Sequence, residues 1–288
     1  MGNIQVFKVL NNNVIIANHP QFQEVVVIGK GIGFNCKVGD DLPLTSVEKM
    51  FILTNEQEQE QYKQLIPQVA EHLIEIVNEG ILYIKEHSKV PLNEHIHIAL
   101  TDHISFAIKR YDQGIVLHNP FLFETKEMYP EEYRMAEYVV ELIRKGFKVD
   151  LEEDEIGFVA LHIHSALTDQ HVNEVKKQSE LVAHLVEIVE KSMKFHIPRD
   201  SLDYSRFITH LRFALERVRS GKVEQEIGSL DKLLYQEFPD LYSLAWKMTK
   251  IMEEKLRKPV YPSEVSYLTV HLQRLSEKNS GTDDRNFV

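Results

Sequence analysis

Two histidines stand in near-identical settings: His162 in EIGFVALHIHSAL (155–167) and His271 in EVSYLTVHLQRL (264–275), each seven residues after a glutamate. Two more, His103 in ALTDHISFAIKR (99–110) and His210 in RFITHLRFALER (206–217), occupy a second pair of matching segments. An imidazole near neutral pH can bind a metal, move a proton or accept a phosphoryl group. Metal binding lacks its spacing: His95/His97 and His162/His164 are two residues apart and point to different sides of a helix, and neither an i, i+4 histidine pair nor HExxH occurs. Acid–base or nucleophilic catalysis lacks its partners. No GxSxG is present, and Asp102 beside His103 is replaced by Thr209 beside His210. Phosphoryl acceptance remains, with up to two added charges as its consequence. Arg110 and Arg217, two helical turns after the early histidines, and Arg206 and Arg274 in the second copy could face such a phosphate. The plainest reading of each histidine, a side chain packed at a core edge, stays open for His95, His97 and His164.

The elements that carry these histidines recur. The early pair is offset by 107 residues (His103 to His210), and the late pair and its glutamates by 109 (His162 to His271, Glu155 to Glu264). YPEEYRMA (129–136) and FPDLYSLA (238–245) share the second offset. Apolar residues at three- and four-residue spacing predict helices throughout this region. Breaks are expected near Pro91, Pro120, Pro130, Gly146, Pro198, Gly221, Pro239 and Pro259. The unit is about 105–110 residues, long enough for a domain of its own.

The first 55 residues read differently. IQVFKVL, VIIAN, EVVVIG and EKMFIL are strand-like, separated by NNN, HPQFQ and a polar loop around Gly39-Asp40-Asp41, so four antiparallel strands are predicted. So small a core predicts that this head dimerises. EQEQEQY (56–62) is a linker or a first helical turn.

Bulk composition agrees with a multidomain globular chain: 288 residues, 43% hydrophobic and 27% charged. The sequence predicts no membrane span and no signal peptide. A single cysteine, Cys36, excludes an intrachain disulfide and a zinc–cysteine cluster, and a reducing cytoplasm is the expected location. The net charge of −11 lies entirely beyond the head, whose Lys8, Lys30, Lys37 and Lys49 balance Glu24, Asp40, Asp41 and Glu48. Any nucleic-acid binding by the head must therefore rest on more than charge.

KVLNNNV (8–14), VVVIGKGIGF (25–34), LNEHIHIALTDHISFAIKR (92–110), NPFLFET (119–125), YPEEY (129–133) and EIGFVALHIHSAL (155–167) resemble the BglG/SacY family of bacterial transcriptional antiterminators. Within it, the likeness is closest to members that govern a glucose phosphotransferase gene. The resemblance implies an antiparallel β RNA-binding domain at 1–60, then two homologous all-α helical-bundle domains, phosphotransferase-system (PTS) regulation domains, at 61–172 and 173–288. It implies a homodimer whose heads bind an antiterminator hairpin in a leader mRNA and keep a terminator from forming. It places RNA contacts on Lys8, Asn11, Asn13, Gly29, Lys30, Gly31 and Phe34, where amides read base edges, glycines admit the backbone and a phenyl ring stacks on an unpaired base. It places phosphorylation on His103, His162, His210 and His271, by a sugar-specific transporter component, expected to be for glucose, and by the phosphocarrier HPr. No cofactor, metal site or enzymatic activity is expected. A DNA-binding activator controlled by the same regulation domains, and a phosphotransfer scaffold without nucleic acid, are the alternatives. The strand-like head counts against the first and the asparagine–glycine motif against the second.

Overall fold

The computed structural model describes residues 3–52, 56–221 and 228–280. Five strands form one antiparallel sheet in the order β4-β1-β2-β3-β5: β1 Asn3–Val9, β2 Val14–His19, β3 Gln23–Ile28, β4 Asp41–Pro43 and β5 Lys49–Phe51. β4 is an addition to the four strands predicted. It arises in the polar loop, where DLP is too short and too polar to carry an alternation signal, yet pairs Ile4 with Leu42. The last strand is correspondingly short, and Leu53 of EKMFIL lies outside the described residues.

One face of the sheet buries Ile4, Val6, Ile15, Ala17, Val25, Val27 and Ile32, the core of the head. Val14, Ile16, Val26 and Ile28, whose side chains alternate to the opposite face, are buried as well. Helix α1 (Glu56–Leu65) approaches that second face: Lys63 lies 2.7 Å from Glu24 and 5.5 Å from the ring centre of Phe7. EQEQEQY is therefore helix from its first residue.

Ten more helices follow among the described residues: α2 Glu71–His87, α3 Ile96–Asp112, α4 Leu122–Met128, α5 Pro130–Phe147, α6 Glu153–Thr168, α7 Val172–Met193, α8 Leu202–Ser220, α9 Gly228–Glu237, α10 Pro239–Leu256 and α11 Pro262–Ser280. Prolines open α5, α10 and α11, the position where a missing N–H costs nothing. Ser201 caps α8 by accepting the N–H of Tyr204 at 3.1 Å, and Gly221 ends it with φ +66°. The break expected near Gly146 falls one residue later, where α5 ends at Phe147; Gly146 itself lies in the last turn, where a Cβ would fall 2.0 Å from Ile76 Cδ1 of α2. The residue is glycine because two helices touch there.

The chain divides into two compact units. The first holds residues 1–119 and 131–172, with the head, α3 and α6; the second holds 120–130 and 173–288, with α4, α8 and α11. In the first, α3 packs on α6. In the second, α8 packs on α11 and on α4, where Tyr204 donates to the buried Glu124 at 2.7 Å and Arg212 to the Met128 carbonyl at 2.8 Å. Trp246, on α10, is half exposed beneath Lys250 Nζ at 4.8 Å.

Candidate functional site

The two head motifs fold into one loop structure. The Asn11 side-chain oxygen accepts the N–H groups of Asn13 (2.9 Å) and Val14 (2.8 Å), closing the turn between β1 and β2. The Asn13 side-chain oxygen crosses to the glycine segment and accepts the Gly31 N–H at 2.7 Å. Backbone bonds complete the clasp, from Gly29 N–H to Asn13 O and from Gly33 N–H to Asn12 O, at 3.0 and 2.8 Å. Gly31 has φ +69°, and a Cβ on Gly33 would lie 2.1 Å from the Asn11 carbonyl oxygen. These glycines make the clasp sterically possible.

The clasp presents Phe34, exposed over 64% of its surface, with exposed Lys30 beside it and exposed Lys8 near the end of β1. An exposed aromatic ring in a loop that also carries an exposed lysine suits an unpaired base on a phosphate chain. Asn11 stands apart from the others: its oxygen is spent inside the turn and its Nδ2 is buried. Cys36 closes the segment, its thiol donating to the Ile32 carbonyl at 2.9 Å.

The histidines predicted to belong together do meet within each unit. His103 of α3 and His162 of α6 lie with ring centres 4.9 Å apart. Glu155, in the first turn of α6, links His103 to Arg110: one carboxylate oxygen accepts from the guanidinium at 2.6 Å and the other stands 3.0 Å from His103 Nε2. Burial works against the charged form of Glu155, but the His103 ring and the Arg110 guanidinium outweigh it and hold the carboxyl below its usual range. Burial, with the charges of His103 and His95, pushes His162 down to about 3, so its ring is neutral at physiological pH. Its Nδ1 is buried without a hydrogen-bond partner among the described residues.

The second pair uses the same residue types differently. His210 of α8 and His271 of α11 are stacked, ring centres 3.4 Å apart at 21°. Arg217 takes both oxygens of Glu264, at 2.6 and 2.7 Å, and its guanidinium lies 4.7 Å from the Tyr267 ring centre. Burial lowers His271 to about 4, with His210, Arg274 and Arg217 adding to it; burial, Arg274 and Arg217 lower His210 as well.

Three of the four arginines predicted to face a phosphate have other first partners, while Arg274 acts on His210 and His271 through its charge. Arg110 and Arg217 hold the glutamates, and Arg206 lies 3.9 Å from Asp203. Glu155 and Glu264 are the site residues that sequence reasoning did not single out for a role. Their signal was present in the seven-residue spacing before each late histidine. Of the remaining histidines, His164 contacts Glu132 at 2.8 Å, while His97 contacts Asn78 at 3.0 Å and Glu94 at 3.2 Å. Among the described residues, no group of three or more His, Cys, Asp or Glu could hold a metal ion, and no helix is long and apolar enough to cross a membrane.

The CAT RNA binding domain matches residues 4–60, and the PRD domain matches twice, at 78–166 and 183–275, once over each histidine pair. The chain belongs to the BglG/SacY family of antiterminators. It is 49% identical over 279 residues to the PtsGHI operon antiterminator of Bacillus subtilis (strain 168), covering 97% of this chain and 99% of that protein. The GlcA/glcB genes antiterminator of Staphylococcus carnosus (strain TM300) is 37% identical, covering 97% and 98%. A solved structure, the crystal structure of GlcT CAT-PRDI, is 54% identical and covers 58% of this chain and 99% of its own, with a TM-score of 0.53. As a BglG/SacY family member, the chain is an RNA-binding antiterminator with a β head and two helical regulation domains under PTS control.

Proposed function

We propose that this antiterminator binds a leader-mRNA hairpin with unpaired internal loops, upstream of a gene for a glucose transporter, and thereby prevents a terminator from forming. The single observation that carries this reading is the interlocked asparagine–glycine clasp with Phe34 and Lys30 standing out of it. Phe34 stacks on an unpaired base, Lys8 and Lys30 meet phosphates, and Asn13 offers its amide to a base edge or a phosphate. Asn11, Gly29 and Gly31 shape the loop rather than touch RNA through their side chains. The working division is a head at 1–60 and regulation domains at 61–172 and 173–288, in a cytoplasmic protein that acts as a homodimer.

His103 and His162 take phosphate from a sugar-specific transporter component, and His210 and His271 from HPr. Each late histidine is neutral at physiological pH, as a nucleophilic nitrogen must be. The attacking ring nitrogen bonds to phosphorus, the bond from phosphorus to the donor's side chain breaks, and the donor atom keeps the electron pair. A phosphate added between two packed helices changes which packing is favoured, and so whether two heads can act together.

The test is a titration of the full chain against a looped leader hairpin, the same RNA fully paired, and duplex DNA. The expected result is preference for the looped hairpin, lost by at least tenfold in Phe34→Ala. Equal binding to all three would overturn the RNA-loop reading and favour a phosphorylated scaffold.

A further inference from the structure

The asparagine loop is already in contact with anions, and they belong to the same chain. Asn12 donates its backbone N–H to Glu71 Oε1 at 3.1 Å, and Asn13 donates its side-chain Nδ2 to Glu75 Oε1 at 2.9 Å. Glu71 and Glu75 open α2, four residues apart on one face, which sets their Cβ atoms about 5–6 Å from each other. The other oxygen of Glu75 lies 3.6 Å from His72 Nδ1. With its oxygen holding Gly31, the Asn13 side chain has Nδ2 as its donor to a ligand, and one of that group's two N–H bonds already points to Glu75.

A carboxylate and a phosphate present the same thing to an amide donor: anionic oxygens that accept a charge-assisted hydrogen bond. Two carboxylates a helical turn apart, bonded to successive asparagines, therefore stand where an RNA backbone would have to lie to use those donors. They also put two negative charges against an incoming polyanion. The Lys63–Glu24 pair at 2.7 Å ties the preceding helix to the sheet of the head and keeps α2 in reach.

We propose that Glu71 and Glu75 are an intramolecular anion plug on the RNA-binding loop. RNA binding requires their displacement, and the first helical domain thereby sets the affinity of the head by direct contact. This rests on the RNA-loop reading above. It assigns Asn12, which that reading leaves as a turn residue, a part in control through its backbone N–H.

The experiment titrates four full-length chains against the looped hairpin and duplex DNA: unmodified, Glu71→Ala/Glu75→Ala, Glu71→Gln/Glu75→Gln and Glu86→Ala. Alanine keeps α2 helical while removing the acceptors, glutamine keeps an acceptor but no charge, and Glu86 is an exposed glutamate at the far end of the same helix. The double alanine variant is expected to bind the hairpin roughly three- to tenfold more tightly, the glutamine variant less so, and Glu86→Ala like the unmodified chain. Circular dichroism checks helicity, and the glutamine pair carries the test if the alanine pair loses it. Equal hairpin affinity for the double variants and the unmodified chain overturns the plug and leaves the RNA site standing. Equal tightening by Glu86→Ala reduces the effect to bulk charge and overturns the plug as well. No preference for the hairpin over duplex DNA in any chain overturns the RNA reading and the plug together.

Discussion

The two histidine pairs begin from the same four residues, Glu, Arg and two His at matching places, and arrive at different electrostatics. In the first unit, Glu155 divides its carboxylate between Arg110 and His103. In the second, Arg217 takes both oxygens of Glu264, leaving His210 stacked on His271 with Arg217 and Arg274 as the charges around them. Duplication preserved the parts, while the choice of partner changed the surroundings. On the proposed phosphorylation, a phosphate on the first pair has the Glu155 carboxylate beside it and one on the second has Arg217 and Arg274, so the first is expected to be given up more readily.

The comparison breaks or sharpens at four points. The largest effect is loss of phosphoryl acceptance. His103→Ala/His162→Ala should abolish phosphate incorporation in the first unit only, and His210→Ala/His271→Ala in the second only, read by mass spectrometry at alkaline pH. Incorporation that persists in a double variant means another residue is the acceptor.

Stability comes next. Glu264→Ala strands a half-buried arginine from two strong bonds and should cost about 3–5 kcal/mol, whereas Glu155→Ala removes one such bond and should cost about 1–3 kcal/mol. Denaturant unfolding gives the order, and a reversed order would mean that the partner assignment in the two sites is wrong.

The third point is pH. His162 is held down to about 3 in the folded chain against an ordinary 6.5, so below 6.5 the unfolded chain takes up a proton that the folded one refuses. Stability falls as pH falls from about 6.5 toward 3, by up to about 1.4 kcal/mol per unit from this ring. Glu155 adds its own loss only below its ordinary 4.5, while His271, held to about 4, and the lowered His210 add losses of the same sign above it. His162→Gln should reduce the slope there by its own share and leave the rest, measured by thermal unfolding at a series of pH values. An unchanged slope would place the proton uptake elsewhere.

The smallest effect is at Arg274, which is exposed and screened by solvent. Arg274→Ala should raise the His271 and His210 titrations seen by NMR and shorten phosphate lifetime on the second pair by about two- to fivefold. The first pair should not change.

Much of this was legible in the residues. Apolar spacing placed His103 and His162 on two helices and His210 and His271 on two more, and the fixed offsets gave the duplication. Four of the five strands of the head were readable because β-branched and apolar residues cluster there between turn residues. β4 was not, since three residues carry no periodicity and its pairing is supplied by β1. The family likeness located the asparagine and glycine segments, but only the fold joins them, through the Asn13 bond to Gly31. Which partner each glutamate takes was out of reach, because that depends on ångström-scale placement of helices far apart in sequence. The same holds for Glu71 and Glu75, whose carboxylates look like ordinary solvated helix-start residues until the head is laid against them.

Cys36 and Trp246 each occur once in the chain, and they lie in different units. The cysteine closes the clasp two residues past Phe34; the tryptophan is half exposed on α10. The protein thus carries two native reporters that need no engineering. Thiol alkylation rates follow events at the loop of the head, and indole emission follows the second helical domain alone. Signals from the two halves can be collected from one unmodified sample, so the order in which they respond to phosphate or RNA becomes a kinetic measurement.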